Sequence, residues 1–330
     1  MPTMQKQAFE AISDAASKAL AGKPPFERAP YSPEAGEEAP HEAYSYWRST
    51  MRIFLRNKTA VAFLAIMAAL LVFTFVQPLI PGQKSPTEIF NDERGIQIRN
   101  APPSREFWLG TNSIGQDLWS RIWAGTRTSL LIAFAVAIID SALGIAMGVV
   151  WGYIRAVEGM FTELYNIFDN IPQTLMLILI SYVLRPSVST IILALSITSW
   201  LTTARFIRNQ IVIIRDRDYN LASRCLGSPP LKIIARNIMP FLISVITMRA
   251  AIAIPNAISN EVFVSYIGLG LPLAIPSLGN LITSGIDKML EPSLRYQLIF
   301  PAAVLCLITV SFYIVGNALA DASDPKNHTI

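Results

Sequence analysis

Residues 60–80 read A-V-A-F-L-A-I-M-A-A-L-L-V-F-T-F-V-Q-P-L-I and carry no charged side chain. A helix rises about 1.5 Å per residue, so a stretch of this length crosses a hydrocarbon core about 30 Å thick. Five further apolar segments follow it. Segment 128–154 is broken only by Asp140, and 160–184 carries Glu163, Asp169 and Pro172 in its first half. Segment 187–204 has no charge, 238–258 holds Pro240, Arg249 and Pro255, and 298–319 has Pro301 near its start. The pattern predicts an all-α polytopic membrane protein with six transmembrane helices.

Composition agrees. Of 330 residues, 52% are hydrophobic and 15% charged, against about 25% charged in soluble domains. Mean hydropathy is +0.42. A soluble enzyme, a disordered chain and a collagen-like chain are excluded as classes. The net charge is +4, but the basic residues are spread rather than gathered into a nucleic-acid patch, so no nucleic-acid partner is expected. Two cysteines, Cys225 and Cys306, and two histidines, His41 and His328, lack metal-ligand spacing, so no metal site or disulfide scaffold is expected. GxxxxGK[ST], HExxH, GxSxG and GxGxxG are absent, so the sequence offers no catalytic centre and no phosphate loop. The first 40 residues hold no apolar core of a cleavable signal peptide.

Basic residues set the orientation. Arg48, Arg52, Arg56 and Lys58 precede the first span, and Arg205, Arg208, Arg215, Arg217, Arg224, Lys232 and Arg236 lie between the fourth and fifth. An even number of spans separates the clusters, so both belong on the cytoplasmic side, with both termini. The organisation expected is a flexible cytoplasmic tail at 1–43, a basic interfacial helix at 44–58 and a first transmembrane helix at 59–80. An extracytoplasmic loop at 81–127 follows, then a five-helix core at 128–320 with a cytoplasmic loop at 205–237, and a cytoplasmic tail at 321–330. A second outer loop spans 261–297. In the interfacial helix, Trp47, Met51, Phe54 and Leu55 form an apolar stripe beside a stripe of Arg48, Arg52 and Arg56.

The most informative loop reads Y-N-L-A-S-R-C-L-G-S-P-P-L-K-I-I-A-R-N-I-M-P over 219–240. Asp218 or Asn220 is placed to cap a short helix that Pro229 and Pro230 end. Small Ala222 and Ser223 would let another backbone approach, and Leu231, Ile234 and Ile238 suggest a second amphipathic turn. The loop resembles the coupling loop of permease subunits of ABC importers, a pattern of E-A-A, three residues, Gly, and a later Ile-x-Pro. Leu221, Ala222 and Ser223 stand at its first positions, Gly227 at the glycine, and Ile238 and Pro240 at its end. Leu221 replaces the pattern's glutamate, which bears on any ion pair made there with an ATPase and leaves the docking shape. Asn220, Arg224 and Pro229 complete the docking residues that the resemblance implies.

Residues 110–130, G-T-N-S-I-G-Q-D-L-W-S-R-I-W-A-G-T-R-T-S-L, are similar to the GTDxxGRDxxSRxxxGxRxSL signature of dipeptide/oligopeptide permeases. Gly110, Thr111, Gly115, Asp117, Ser120, Arg121, Gly125, Arg127 and Ser129 match it, while Asn112 and Gln116 depart. Leu55-Arg56-Asn57-Lys58, Gly268-Leu269-Gly270 and Pro276-Ser277-Leu278-Gly279 resemble further segments of the same subunits, of the type with an extended N-terminus. The resemblance implies the type I permease fold in a bacterial inner membrane. It implies a second homologous permease, two cytoplasmic ATPase subunits that carry ATP and Mg, and an extracytoplasmic peptide-binding protein. This chain itself would bind no cofactor and be no enzyme. Nickel and glutathione permeases of the same family are the nearest alternative. A membrane scaffold or signalling protein using an ATPase-docking loop is a second, and a membrane enzyme a third.

Ionisable residues inside spans are costly and mark functional candidates. Asp140, Asp169 and Arg249 are therefore candidates for the substrate path or for intramembrane pairing, Arg249 with either acid. Gly144 and Gly148 form a GxxxG, a candidate seam with a partner helix. Arg121 and Arg127 read as interfacial anchors, Trp108, Trp119, Trp123 and Trp151 as an aromatic belt, and Cys225 as a small packing residue.

Overall fold

The computed structural model describes residues 46–324; the expected tail at 1–43 and all but the first four residues of the one at 321–330 lie outside the described residues, as does the side chain of Trp47. All regular elements among the described residues are helical. In chain order they are α1 (Tyr46–Arg56), α2 (Lys58–Val76), α3 (Leu118–Tyr153), α4 (Arg155–Asp169), α5 (Gln173–Val183), α6 (Val188–Arg215), α7 (Asp218–Cys225), α8 (Pro230–Ile233), α9 (Met239–Tyr266), α10 (Leu278–Ile286) and α11 (Tyr296–Ser323).

Five stretches are long and apolar enough to cross a membrane: Lys58–Leu79, Leu118–Tyr153, Val188–Arg215, Pro230–Tyr266 and Tyr296–Ser323. The segment expected at 160–184 is instead two shorter helices, α4 and α5, parted at Asn170–Pro172. Proline disfavours helical backbone in the residue before it and donates no N–H, so α4 stops short and α5 starts afresh. α3 starts at Leu118 rather than at 128, because Asp117 caps it by accepting from the Ser120 N–H at 2.8 Å. Much of the signature read as loop is therefore the first turns of a helix.

α3 lies along α6, and α9 packs on α11 and α3. The α3–α6 seam explains the GxxxG. A Cβ on Gly148 would stand 2.7 Å from the Ala204 carbonyl oxygen and from Ile207 Cβ, both on α6. The glycines thus serve packing within this chain. The core gathers Leu130, Ile132 and Val136 of α3, Leu177 of α5, Ile191 and Leu195 of α6, Ile258 of α9, and Ile308 and Phe312 of α11. Val72 and Phe75 of α2 and Leu179, Tyr182 and Val183 of α5 point outward, as side chains surrounded by lipid or a partner helix do. In α1, Phe54 is buried beside Ala318 and Ala322 of α11, while Met51, Leu55 and the three arginines are exposed. The apolar stripe is therefore divided between the bundle and the outside.

Candidate functional site

The loop between α6 and α9 is held from beneath. Asn220 is fully buried; its amide donates to the Ile214 carbonyl at 2.9 Å, and the Asn237 amide donates to Asn220 Oδ1 at 3.0 Å and to Ser223 Oγ at 3.1 Å. Asn220 is thus an anchor within α7; the N-cap is Arg217, without a side-chain cap bond, so neither Asp218 nor Asn220 caps. The helix ends before Pro229. The Gly227 N–H donates to the Arg224 carbonyl and the Ser228 N–H to the Ser223 carbonyl, at 2.9 and 3.0 Å. This paired closure needs a left-handed residue, and Gly227 supplies it with φ +76°. Pro229 precedes α8 and Pro230 is its first residue. Residues 234–238 form a π turn, so Ile233 and Ile238, five apart, pack inward, while Leu231 faces out. Leu221, Leu226 and Leu231 are exposed, as are Ala222, Cys225 and Pro240. Cys225 is therefore no packing residue.

A network of charges ties this loop to the helices. Arg224 donates to the Arg215 carbonyl at 2.8 Å and stands 3.5 Å from Asp216. Asp216 also pairs with Arg155, at 3.0 Å. Arg215 donates to the Gly152 carbonyl at 2.7 Å and to Glu158 at 2.9 Å, and Arg208 closes on the same Glu158. The hydrogen bond from Arg215, helped by that of Arg208, holds the Glu158 carboxyl below its ordinary range against a smaller effect of burial. Reading spans for charge missed this cluster, because its members lie at helix ends, where arginine is unremarkable.

At the other end of α3 the signature residues turn inward. Gly110 and Gly115 adopt φ +80° and +82° in the loop before α3. Thr111 is buried, donates to the Ile98 carbonyl at 2.7 Å and accepts from the Ala101 N–H at 2.9 Å. Tyr296 donates to the carbonyls of Ala101 and Thr111, both at 2.8 Å. Arg121 donates to the carbonyls of Pro86 and Leu273, each at 3.1 Å, and to Gln116. Arg127 donates to the Thr74 carbonyl at 2.8 Å. Both arginines are latches between segments rather than bare anchors. Trp119 and Trp123 stack edge to face with Phe73 on α2 and with each other, and Trp108 stacks edge to face with Trp119.

Gly125 lies against Ser277, and Ser129 donates to Glu261 Oε2 at 2.9 Å while accepting from the Leu278 N–H at 3.1 Å. Glu261 is fully buried and also accepts from Ser265 at 3.2 Å. The apolar pattern makes it the first residue of an outer loop, yet α9 continues to Tyr266. The missed signal was the helical spacing of Glu261 and Ser265.

The three intramembrane candidates part company. Asp169 is exposed, bonded by Tyr165 Oη at 2.7 Å and Arg205 at 3.3 Å. Asp140 is buried and accepts from Thr203 at 3.0 Å across the α3–α6 seam. Asp140 and Arg249 line one cavity of about 290 Å³, together with Gln173, Ser259, Asn256 and Asn260. They make no direct ion pair; the Arg249 guanidinium lies over the Phe206 ring at 4.8 Å.

A chain of long apolar helices with buried polar latches and one exposed, pinned loop is a polytopic membrane protein. It belongs to the family of inner membrane components of binding-protein-dependent transport systems, whose model matches residues 143–329. A second model, the N-terminal TM domain of oligopeptide transport permease C, matches residues 45–103. The chain is 38% identical over 297 residues to the oligopeptide transport system permease protein AmiD of Streptococcus pneumoniae, covering 89% of this chain and 94% of that one. It is 32% identical over 310 residues to the oligopeptide transport system permease protein OppC of Bacillus subtilis, covering 91% and 96%. It is also 32% identical over 283 residues to the dipeptide transport system permease protein DppC of Bacillus subtilis, covering 86% of each.

Proposed function

We propose that this chain is one permease subunit of an ATP-driven importer of short peptides. It works in a bacterial cytoplasmic membrane beside a second, homologous permease, two cytoplasmic ATPase subunits and an extracytoplasmic peptide-binding protein. The observation that carries the reading is the α7–α8 loop, where leucines face outward from a helix pinned inward through Asn220 and Asn237. An exposed apolar patch on a rigid support is what a partner protein binds. The peptide substrate is supported by the similarity to AmiD, OppC and DppC over most of the chain.

The mechanism follows from the ties. ATP binding draws the ATPase subunits together, and they carry α7 with them. Arg224 and Asp216 pass that displacement to the ends of α6 and α4. α6 is locked to α3 along the glycine seam, so the pair moves as one body. The bundle then alternates between inward-open and outward-open, while the outer loop, latched by Thr111, Arg121 and Tyr296, meets the loaded binding protein. On this reading the arginine-rich end of the bundle and both termini are cytoplasmic, and the segment 160–184 completes a sixth crossing, with Glu158 outside it at the cytoplasmic end.

The test is purification of the tagged chain from its native membrane in mild detergent, with mass spectrometry, followed by peptide uptake in reconstituted vesicles. Recovery of a second permease and ATPase subunits, with ATP-dependent uptake of a tripeptide, is expected. Recovery of the intact chain alone, or of a complex that moves no peptide, would overturn the reading.

A further inference from the structure

The cavity between α3, α6 and α9 holds a cation that no carboxylate among the described residues contacts directly. Arg249 sits inside the Pro230–Tyr266 stretch, where an arginine is costly unless it is paired. Among the described residues it forms no ion pair or hydrogen bond, and its Nε is buried without a partner. Its one strong contact is the Phe206 ring, which supports the face of the guanidinium and leaves its donors to the cavity. Asp140, the acid on the same cavity, is held by Thr203 and does not reach it.

The remaining polar lining, amides and hydroxyls, is uncharged. Gln173, Asn256 and Asn260 carry amides and Ser259 a hydroxyl, groups that hydrogen-bond a peptide main chain equally well whatever its side chains. A permease that must pass many peptide sequences can read only what all peptides share, which is the main chain and its charged ends. Building on the peptide reading above, we infer that Arg249 is the specificity-determining residue of the path and receives the terminal carboxylate of the peptide in transit. Asp140, of opposite charge, keeps that carboxylate to the Arg249 side of the cavity. The guanidinium supplies paired donors in the geometry a carboxylate accepts.

The experiment uses the complete complex in vesicles, with its binding protein and saturating peptide. Uptake of trialanine is compared with that of trialanine amide, which lacks only the terminal charge. The unaltered complex should favour the free acid at least about tenfold, the discrimination a site built for one polar group supplies. In Arg249→Gln the ratio of the free-acid rate to the amide rate should fall from about ten to about one, and Arg249→Lys should restore part of the preference. A preference that survives Arg249→Gln resides in the binding protein and overturns the inference. So does an equal loss for both peptides, which would mean that Arg249 pairs with a carboxylate of the second permease. If the unaltered complex carries neither peptide, the peptide reading itself fails. A second measurement leaves Arg249 intact, in case Arg249→Gln does not assemble. Asn260→Cys in a Cys225→Ser, Cys306→Ser background is labelled with a charged thiol reagent; trialanine should slow labelling severalfold and the amide should not. Equal protection by both, or by neither, overturns the inference.

Discussion

Arg121, at the outer end of α3, is 4% exposed and spends its guanidinium on the carbonyls of Pro86 and Leu273. Leu226, at the end of α7, is 86% exposed. Each lies in a distinctive sequence pattern, yet the burial is inverted: the charged side chain is inside and the apolar one outside. The outer region is therefore complete in itself. Thr111, Arg121, Arg127 and Tyr296 all spend donors on carbonyls of the same chain, and a buried donor with partners is an internal fastener. The α7–α8 loop is incomplete. Its polar residues Asn220 and Arg224 hold its shape, and its leucines await a surface. Patterns of similar strength thus divide by burial into those that build the fold and those that serve a partner.

The sharpest way to break this contrast is Arg121→Met. Losing the cation takes the Arg121 donors from the Pro86 and Leu273 carbonyls, while Gln116 keeps Asn112, so the melting of the purified complex should show a destabilisation of about 2 kcal/mol. An unchanged Tm would mean that the outer latch is ornamental. Leu226→Asp tests the other side. Affinity for the ATPase subunits, titrated on the chain in lipid discs, should fall roughly thirtyfold, the size of a 2 kcal/mol hot spot, with Tm unchanged. A loss of Tm without loss of affinity would reverse the assignment. Ser129→Ala removes one of the partners of Glu261 and the acceptor of the Leu278 N–H. It should cost about 1–2 kcal/mol in the same melt, while leaving ATPase affinity alone.

The smallest effect concerns pH. The Glu158 carboxyl is held below its ordinary value by Arg215 and then Arg208. A carboxyl lowered on folding contributes stability that is present above its unfolded value, about 4.3, and is lost as pH falls through the folded value. The protection of the amides around Gly152–Glu158 against hydrogen exchange, taken relative to the intrinsic rate at each pH, should therefore be high at neutral pH and fall below about pH 4. Glu158→Gln should remove that step. A step that persists would place the titrating group elsewhere in the cluster.

The contrast also shows where sequence reading stopped. Asp140 was legible as an intramembrane acid, but not its bond to Thr203, sixty-three positions along the chain. Gly144 and Gly148 were legible as a small-residue seam, but not that α6 of the same chain fills it. The sequence groups Asp169 with Asp140 and Arg249, yet it turns to Arg205 at the bundle surface. Glu261 went unseen, because a glutamate beside an expected span end looks solvent-exposed until α9 is found to run past it.

What the sequence determined by itself is what local physics controls. Apolar runs long enough for a bilayer must be helices, because no other single segment satisfies its own backbone in lipid. Asp117, Ser187 and Ser277 start helices wherever those helices pack, because a cap bond spans only three residues. Gly227 ends α7 because its φ is left-handed. The tertiary structure alone decided which helix faces which. That choice depends on shape and charge matching between residues far apart in the chain, which no local period records. It put Glu261 against Ser129, left Leu226 to the outside, and set Arg249 over a cavity without a partner.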